Sequence, residues 1–331
     1  MKIHIMALAL AAICAVSCYE DYVGDYSKIA CGFANQTDVR SVIAGEGMSF
    51  STGVALGGTI NNDKDRKIGI GPDYSLVNES TLEALRGHTF SYISSLMGRM
   101  VSIEALSGSV YELETESGNP GQALIRKGTH LGRIKVKIDS ARFFADPQLL
   151  DSVLKVIPLM ITDGNGTDII EGREYSVIGV RYENTLFGNW YHGGAAVIKD
   201  GTGASAGTMT YPASKPQADN LVWTLTTVDP NSVTANAVVN AFNGEKAQMK
   251  LRLNADGSIT ISSVAGASYD VQPDGESRLI RSKLLQDRKI VLSYKYADGG
   301  NTVHARDTLT FRNRIRDGVN EWQDENSSHY E

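Results

Sequence analysis

Gly203-Ala204-Ser205-Ala206-Gly207 has the GxSxG spacing of a nucleophile elbow, in which a serine strained between a strand and a helix attacks an acyl carbon. The next residues, Thr208-Met209-Thr210-Tyr211-Pro212, are strand-like and cannot supply that helix, so the segment reads as a hairpin loop. The overlapping GxGxxA at Gly201 to Ala206 fails as a dinucleotide site for the same reason. Asp163, Asn165, Thr167, Glu171 and Glu174 stand at offsets like those of a calcium loop. The sixth position, where glycine makes the sharp turn, is Asp168, and the flanks read as strands; a solvated hairpin tip is expected. There is no HExxH, no CxxC and no histidine pair among six scattered histidines, so metal catalysis has no seat and no cofactor is expected. A glycosidase needs two carboxylates about 5 to 10 Å apart. With 38 acidic residues some pair must lie that close, and no constellation with assignable roles emerges, so the chain reads as a non-enzyme.

Binding chemistry is more legible. A pyranose presents a flat C–H face that packs on Trp or Tyr, and hydroxyls that bond Asn, Asp, Gln and Arg. Tyr191, Tyr211, Tyr269 and Trp322 stand beside turns or near the C-terminus, where loops carry function. Trp223 alternates with Leu221 and Leu225, which points it inward; in a hollow barrel, inward means ligand-lining. These five are the candidate ligand-binding residues. Trp190 opens the second half of the chain and reads as a buried structural aromatic.

The N-terminus sets the compartment. Met1 to Ser17 holds one lysine, Lys2, and an apolar run shorter than the roughly 20 residues of a membrane-spanning helix, the form of a signal peptide. Ala15-Val16-Ser17-Cys18 resembles the bacterial lipobox, in which Cys18 receives lipid on its sulfur and becomes the new N-terminus; Ala15 stands where leucine is usual. Cys14 is the poorer candidate, because Ile13 before it is too bulky for the peptidase. After cleavage 314 of 331 residues remain with only Cys18 and Cys31, too few for a disulfide framework. Each buried methylene of an acyl chain contributes about 0.8 kcal/mol, so several chains hold a protein to a membrane essentially permanently. Net charge is −6 and no basic stripe interleaves with aromatics, which excludes a nucleic-acid partner as an expectation.

The elements that must position these residues are strands. Residues 18–32 read as a polar, tyrosine-rich tether. Ile134, Val136 and Ile138 alternate with Arg133, Lys135 and Lys137, the period of a sheet with one buried face, and Ile68 and Ile70 repeat it weakly. Ser80 to about Met100 is the one helical segment, capped by Asn78 or Ser80, with Leu82, Leu85, Tyr92, Ile93 and Leu96 on one face. It is expected as an insertion between strands. Phe143 to Pro147 suggests a helical turn before a strand in which Pro158 demands an edge or a strand start. Glu174 to Tyr182 makes the last strand of a first unit, 33–184, and the boundary falls at Glu183 to Gly188. Beyond it, Met249, Leu251 and Leu253, the turn Asn254 to Gly257, and Ile259 and Ile261 form a hairpin. Ile290 to Tyr296, Asp298-Gly299-Gly300 and Val303 to Phe311 form another. About eight strands in 185–325, followed by a tail at 326–331, imply an antiparallel barrel or sandwich.

Four segments carry a resemblance: Gly45 to Gly58, Lys127 to Pro147, Ile161 to Asn184 and Leu186 to Gly194. In order and spacing they resemble a Bacteroidetes surface lipoprotein with domain-of-unknown-function 1735, an immunoglobulin-like module, ahead of domain-of-unknown-function 4361. Leu76 to Glu112 lies outside the likeness as this chain's own insertion. The resemblance implies a mainly β protein, an immunoglobulin-like sandwich followed by a lipocalin-like barrel or a sandwich. It implies an accessory role in a polysaccharide-utilisation system, beside a TonB-dependent porin and its lid, with a glycan or oligosaccharide as ligand. Glu20 and Asp21 after Cys18 resemble the signal sending such lipoproteins to the outer face of the outer membrane. The DxxDxDxE run of the catalytic barrel in some relatives is absent. Gly188-Asn189-Trp190 resembles a lipocalin start, which implies Arg312 or Arg314 as the partner of Trp190. The alternatives are an adhesion or assembly component with a protein partner, and a barrel carrying a small apolar molecule. Cys18→Ala is expected to fold normally and leave the membrane fraction; a variant that still sediments with the outer membrane would refute the anchor.

Overall fold

The computed structural model describes residues 28–322 apart from 147, 148, 150, 151 and 243–245. The leader, Cys18 and the 326–331 tail lie outside the described residues. Among the described residues no helix is long and apolar enough to cross a membrane.

The first unit holds β1 (Ala30–Phe33), β2 (Thr37–Ile43), β3 (Ser49–Gly57), β4 (Arg66–Pro72), β5 (Ser102–Ala105), β6 (Tyr111–Thr115), β7 (Gln122–Ile125), β8 (Leu131–Ile138), β9 (Val153–Asp163), β10 (Asp168–Ile169) and β11 (Tyr175–Glu183). Two sheets, ordered β10-β1-β3-β8-β6 and β2-β11-β9-β4-β7 with β5 beside β9, pack face to face as the immunoglobulin-like sandwich. The alternation expected in β8 is complete: Ile134, Val136 and Ile138 are buried and the intervening cations are exposed. Most of the segment expected as a tether, 18–27, lies outside the described residues, but its end is strand. Ala30 to Gly32 already belong to β1, because Cys31 supplies a core side chain. Burial pushes its thiol pKa up, which keeps the sulfur protonated and inert.

The insertion forms two helices rather than one, Glu79–Arg86 and Ser91–Met97. Asn78 caps the first through its side-chain oxygen, which accepts from the Thr81 N–H at 3.0 Å. Gly87 stops that helix as its C-cap. Leu82, Leu85, Ile93 and Leu96 pack on Val39 and Val156, covering the outer face of the second sheet. Pro158 overturns its expected edge position, since β9 is interior. It sits where the neighbour of β9 on one side changes from β5, paired through Val156, to β4, paired from Leu159. At that gap no ladder donor is required of it, and its carbonyl accepts from the Asp73 N–H at 3.1 Å.

The second unit holds β12 (Gly188–Lys199), β13 (Ser205–Tyr211), β14 (Val222–Asp229), β15 (Ser232–Ala235), β16 (Ala237–Val238), β17 (Ala241–Phe242), β18 (Met249–Leu253), β19 (Ile259–Ser263), β20 (Gln272–Pro273), β21 (Arg278–Ile280), β22 (Lys289–Asp298), β23 (Asn301–Arg316) and β24 (Val319–Glu321). Its sheet runs β19-β18-β15-β14-β12-β23-β22, with β21 beside β22. A Ser258–Arg278 bridge joins β21 to the start of β19, so the up-and-down meander comes round on itself as a nearly closed barrel. Both residues of the expected Gly299-Gly300 turn have positive φ, 56° and 88°, as a two-residue hairpin of this hand requires. Gly194 marks where β12 exchanges β14 for β13. At its φ of 129°, a Cβ would stand 2.3 Å from the Arg306 carbonyl, so only glycine lets β12 and β23 approach there.

The barrel is filled. Trp190, Trp223, Leu292 and Tyr294 are essentially fully buried in its core. The β16–β17 hairpin folds in as a plug: Val239 N–H donates to Tyr294 Oη at 2.7 Å and Tyr296 Oη donates to Val239 O at 2.5 Å.

A buried ion-pair chain locks the two units together. Glu46, in the turn after β2, meets Arg288 Nη1 at 2.5 Å and Arg314 Nη2 at 3.2 Å, and the Thr185 hydroxyl donates to it. The Glu46 and Arg314 side chains are 3% and 2% exposed. Burial alone would raise the Glu46 pKa, but the two guanidiniums and the Thr185 bond outweigh it and hold the carboxyl below its ordinary value. Arg314 and Arg316 share Glu321, and Arg316 Nη1 donates to Ser41 O at 2.6 Å. Asp317 accepts from the Ser41 N–H at 2.9 Å and hydroxyl at 2.8 Å. Glu46→Gln leaves buried guanidinium charge uncompensated and is expected to cost about 3–5 kcal/mol in urea unfolding at pH 7. The Glu46 contribution is complete above the ordinary glutamate pKa of about 4.3 and fades as pH falls through the lowered value, so the gap should close on acidification.

Candidate ligand cleft between the domains

The five sequence-predicted binding residues do not converge on one site. Trp223 is buried in the barrel, its ring stacked on His192 at 4.6 Å and 4°. The Tyr211 ring lies 4.9 Å from that imidazole, tilted to it, and Tyr269 packs on Tyr296 at 4.6 Å, both half-buried against the barrel core. Tyr191 lies on the outer barrel face with the Arg312 guanidinium 5.8 Å above its ring. Trp322 is exposed after β24. Trp223 is 1% exposed and belongs to the buried core cluster that occupies the barrel interior.

Trp190 is fully buried. Its Nε1 donates to Leu186 O at 3.0 Å. Phe311 stands edge-on to the Trp190 ring at 5.2 Å. The Arg314 guanidinium pairs with Glu46 and Glu321, because at the domain boundary it finds two carboxylates.

Ser205 begins β13 and is exposed, and the loop before it is an Asp200 turn rather than a strained elbow. Asp200 Oδ1 accepts from Thr202 and Ala204 N–H groups and the Thr202 hydroxyl. In the calcium-like segment, Asp163 Oδ1 is spent on the Asn165 N–H at 2.7 Å, and Asn165 and Gly166 turn the tip with positive φ. Among the described residues no three His, Cys, Asp or Glu side chains come together.

One recess lies between the units, a hollow of about 660 Å³. The second insertion helix and its exit contribute Leu96, Arg99 and Met100; β11 contributes Arg181 and Glu183; the barrel side contributes Phe187, Thr226 and Ile315. Sequence reading named Glu183 only as a boundary. The signal for the site was the i, i+2 pair Arg181 and Glu183, both turned outward from a strand whose Val180 and Tyr182 face the sandwich core.

Arg181 Nη2 lies 3.6 Å from Glu183 Oε1, and the Thr227 hydroxyl donates to Glu183. Burial dominates and pushes the Glu183 carboxyl up. Tyr182 packs edge-on against Phe144 at 5.1 Å on the core side of the strand, and its hydroxyl has no hydrogen-bond partner among the described residues. Burial, with Asp229 and Glu183 adding to it, pushes that phenol up to about 12. Lys155 is neutralised by Glu104 at 2.7 Å and Asp146 at 3.2 Å. The cleft therefore offers apolar wall, guanidinium donors and hydroxyls.

No family model matches the chain, and no curated protein matches it. Among solved structures it is similar to a Bacteroides ovatus protein of unknown function, at 18% identity over 91% of this chain and 98% of that one, with a TM-score of 0.58. It also aligns with a B. ovatus multidomain protein including domain-of-unknown-function 1735 (14% identity, 88% and 99% covered, TM-score 0.40). An auxiliary nutrient binding protein from Bacteroides thetaiotaomicron gives 16% identity, 87% and 96% covered, and a TM-score of 0.38. The first of these likenesses extends the two-unit β architecture to a protein with little sequence in common.

Because burial outweighs the Thr227 and Arg181 contacts and raises the Glu183 pKa, the cost of its charge to folding is complete above the raised pKa and vanishes below the ordinary glutamate value of about 4.3. Glu183→Gln, which still accepts from Thr227, is expected to raise the melting temperature by a few degrees at pH 8. That gain should disappear by about pH 4.

Proposed function

We propose that this chain is a non-catalytic, glycan-binding accessory lipoprotein of a polysaccharide-utilisation system, anchored through Cys18 at the outer face of the outer membrane. The observation that carries the reading is the interdomain cleft. Its apolar wall, Met100, Phe187 and Ile315, suits the C–H face of a sugar, and Arg99, Arg181 and Thr226 suit its hydroxyls. The lipobox-like Ala15 to Cys18 and the two-module resemblance supply the compartment and the substrate class. A porin and lid complex is the membrane partner this placement calls for. The filled barrel argues against a carrier of small apolar molecules, which needs a hollow interior.

A protein partner is the second reading, favoured by Ile315, Val319 and Trp322, all more than half exposed at the terminal hairpin. Affinity electrophoresis of the purified chain through laminarin, xylan, mannan, pectic galactan and mucin separates the two. Retardation by at least one polysaccharide is expected, weakened at least tenfold in the Arg99→Ala/Arg181→Ala double variant. No retardation by any of them would defeat the glycan reading.

A further inference from the structure

A second recess, of about 510 Å³, lies on the other side of the Arg316 to Gly318 turn and is lined by Asn35, Arg40, Phe90, Tyr92, Asp317 and Gly318. Its floor is aromatic. Phe90 and Tyr92 are stacked with ring centroids 5.9 Å apart and planes 14° from parallel, and the His88 ring, outside the recess lining, supports Phe90 at 5.1 Å. Phe90 is 51% exposed.

That residue defies local preference. Phe90 occupies the N-cap of the Ser91–Met97 helix, where Ser, Thr, Asp or Asn would add about 1 kcal/mol, and it makes no side-chain cap bond. It also leaves a large apolar ring in water. Departures of this kind concentrate at functional sites.

The rings are held in place before any ligand arrives. The Phe90 N–H donates to His88 Nδ1 at 3.0 Å, which fixes the loop. The Tyr92 hydroxyl donates to Asp38 Oδ1 at 3.3 Å, and Gly318 lies against the Tyr92 ring so closely that a Cβ would stand 3.1 Å from it. Around this floor stand planar polar groups. Arg40 is held by Asp38 at 2.7 Å, and its Nε has no hydrogen-bond partner among the described residues. Asn35 and Asp317 complete the rim.

We infer that the Phe90–Tyr92 platform is a second sugar-binding subsite, taking the C–H face of a neutral pyranose on Phe90 with its hydroxyls toward Asn35, Arg40 and Asp317. This rests on the glycan reading above and assigns it a site on the insertion, outside the interdomain cleft. The test uses the purified chain and the same five polysaccharides. For any that retards the parent, Phe90→Ala should weaken binding at least tenfold at unchanged melting temperature, and Phe90→Trp should restore it. Equal retardation of Phe90→Ala and parent would overturn the subsite and leave the cleft proposal standing. If no polysaccharide retards the parent, the glycan reading falls first and the subsite falls with it.

Discussion

The arrangement of the molecule turns on one carboxylate. Glu46 is buried between Arg288 and Arg314, and neither charge sign would be tolerable there without the other. Desolvation opposes the ionised carboxyl, yet its pKa ends below the ordinary value, so the net interaction with the two guanidiniums wins. Its partners come from the barrel and Glu46 itself from the sandwich, which makes the pairing a fixed joint rather than a surface ornament. A hydrophobic contact of similar size would hold the units together but would not fix their rotation, because apolar packing is non-directional.

The same joint solves a problem of the sandwich. β2 is an edge strand, and an edge presents unpaired backbone groups. At Ser41 those groups are taken by Asp317 and Arg316, side chains at the tip of the β23–β24 hairpin. The barrel's last hairpin therefore caps the sandwich's open edge. Burial pushes the Asp317 carboxyl up despite the Ser41 bonds, so this cap is made at some electrostatic cost, which the hydrogen bonds partly offset.

Local pattern was legible and long-range pairing was not. The alternation of Ile134, Val136 and Ile138, and the Gly299-Gly300 turn, each report a physical rule that acts over a few residues, and the fold obeys them. Asn78 likewise announces the start of one helix, although the single helix read from it becomes two, broken at Gly87. Pro158 misleads because its tolerance depends on which strand lies beside it, and a change from β5 to β4 leaves no trace in sequence. Trp190 was readable as buried from its size and place, whereas the pairing of Arg314 with Glu46 joins residues 268 positions apart. The candidate cleft needs residues from the insertion, β11 and the barrel at once, so only its charged strand pair, Arg181 and Glu183, left a local mark.

The two recesses and the joint are one construction. Ile315 lines the cleft, Asp317 and Gly318 line the aromatic recess, and between them Arg316 reaches Ser41 and Glu321. A hairpin that must reach across to cap an edge strand leaves a hollow on each side, because its narrow turn cannot fill the width between the insertion and the barrel. Apolar and aromatic side chains that would be buried in a tighter joint therefore remain at the surface, Phe90 and Ile315 among them. Any ligand that fits either hollow touches residues belonging to both units or to the hairpin that joins them. Occupancy would then stabilise the joint by mass action, since a ligand bound only to the docked state favours that state.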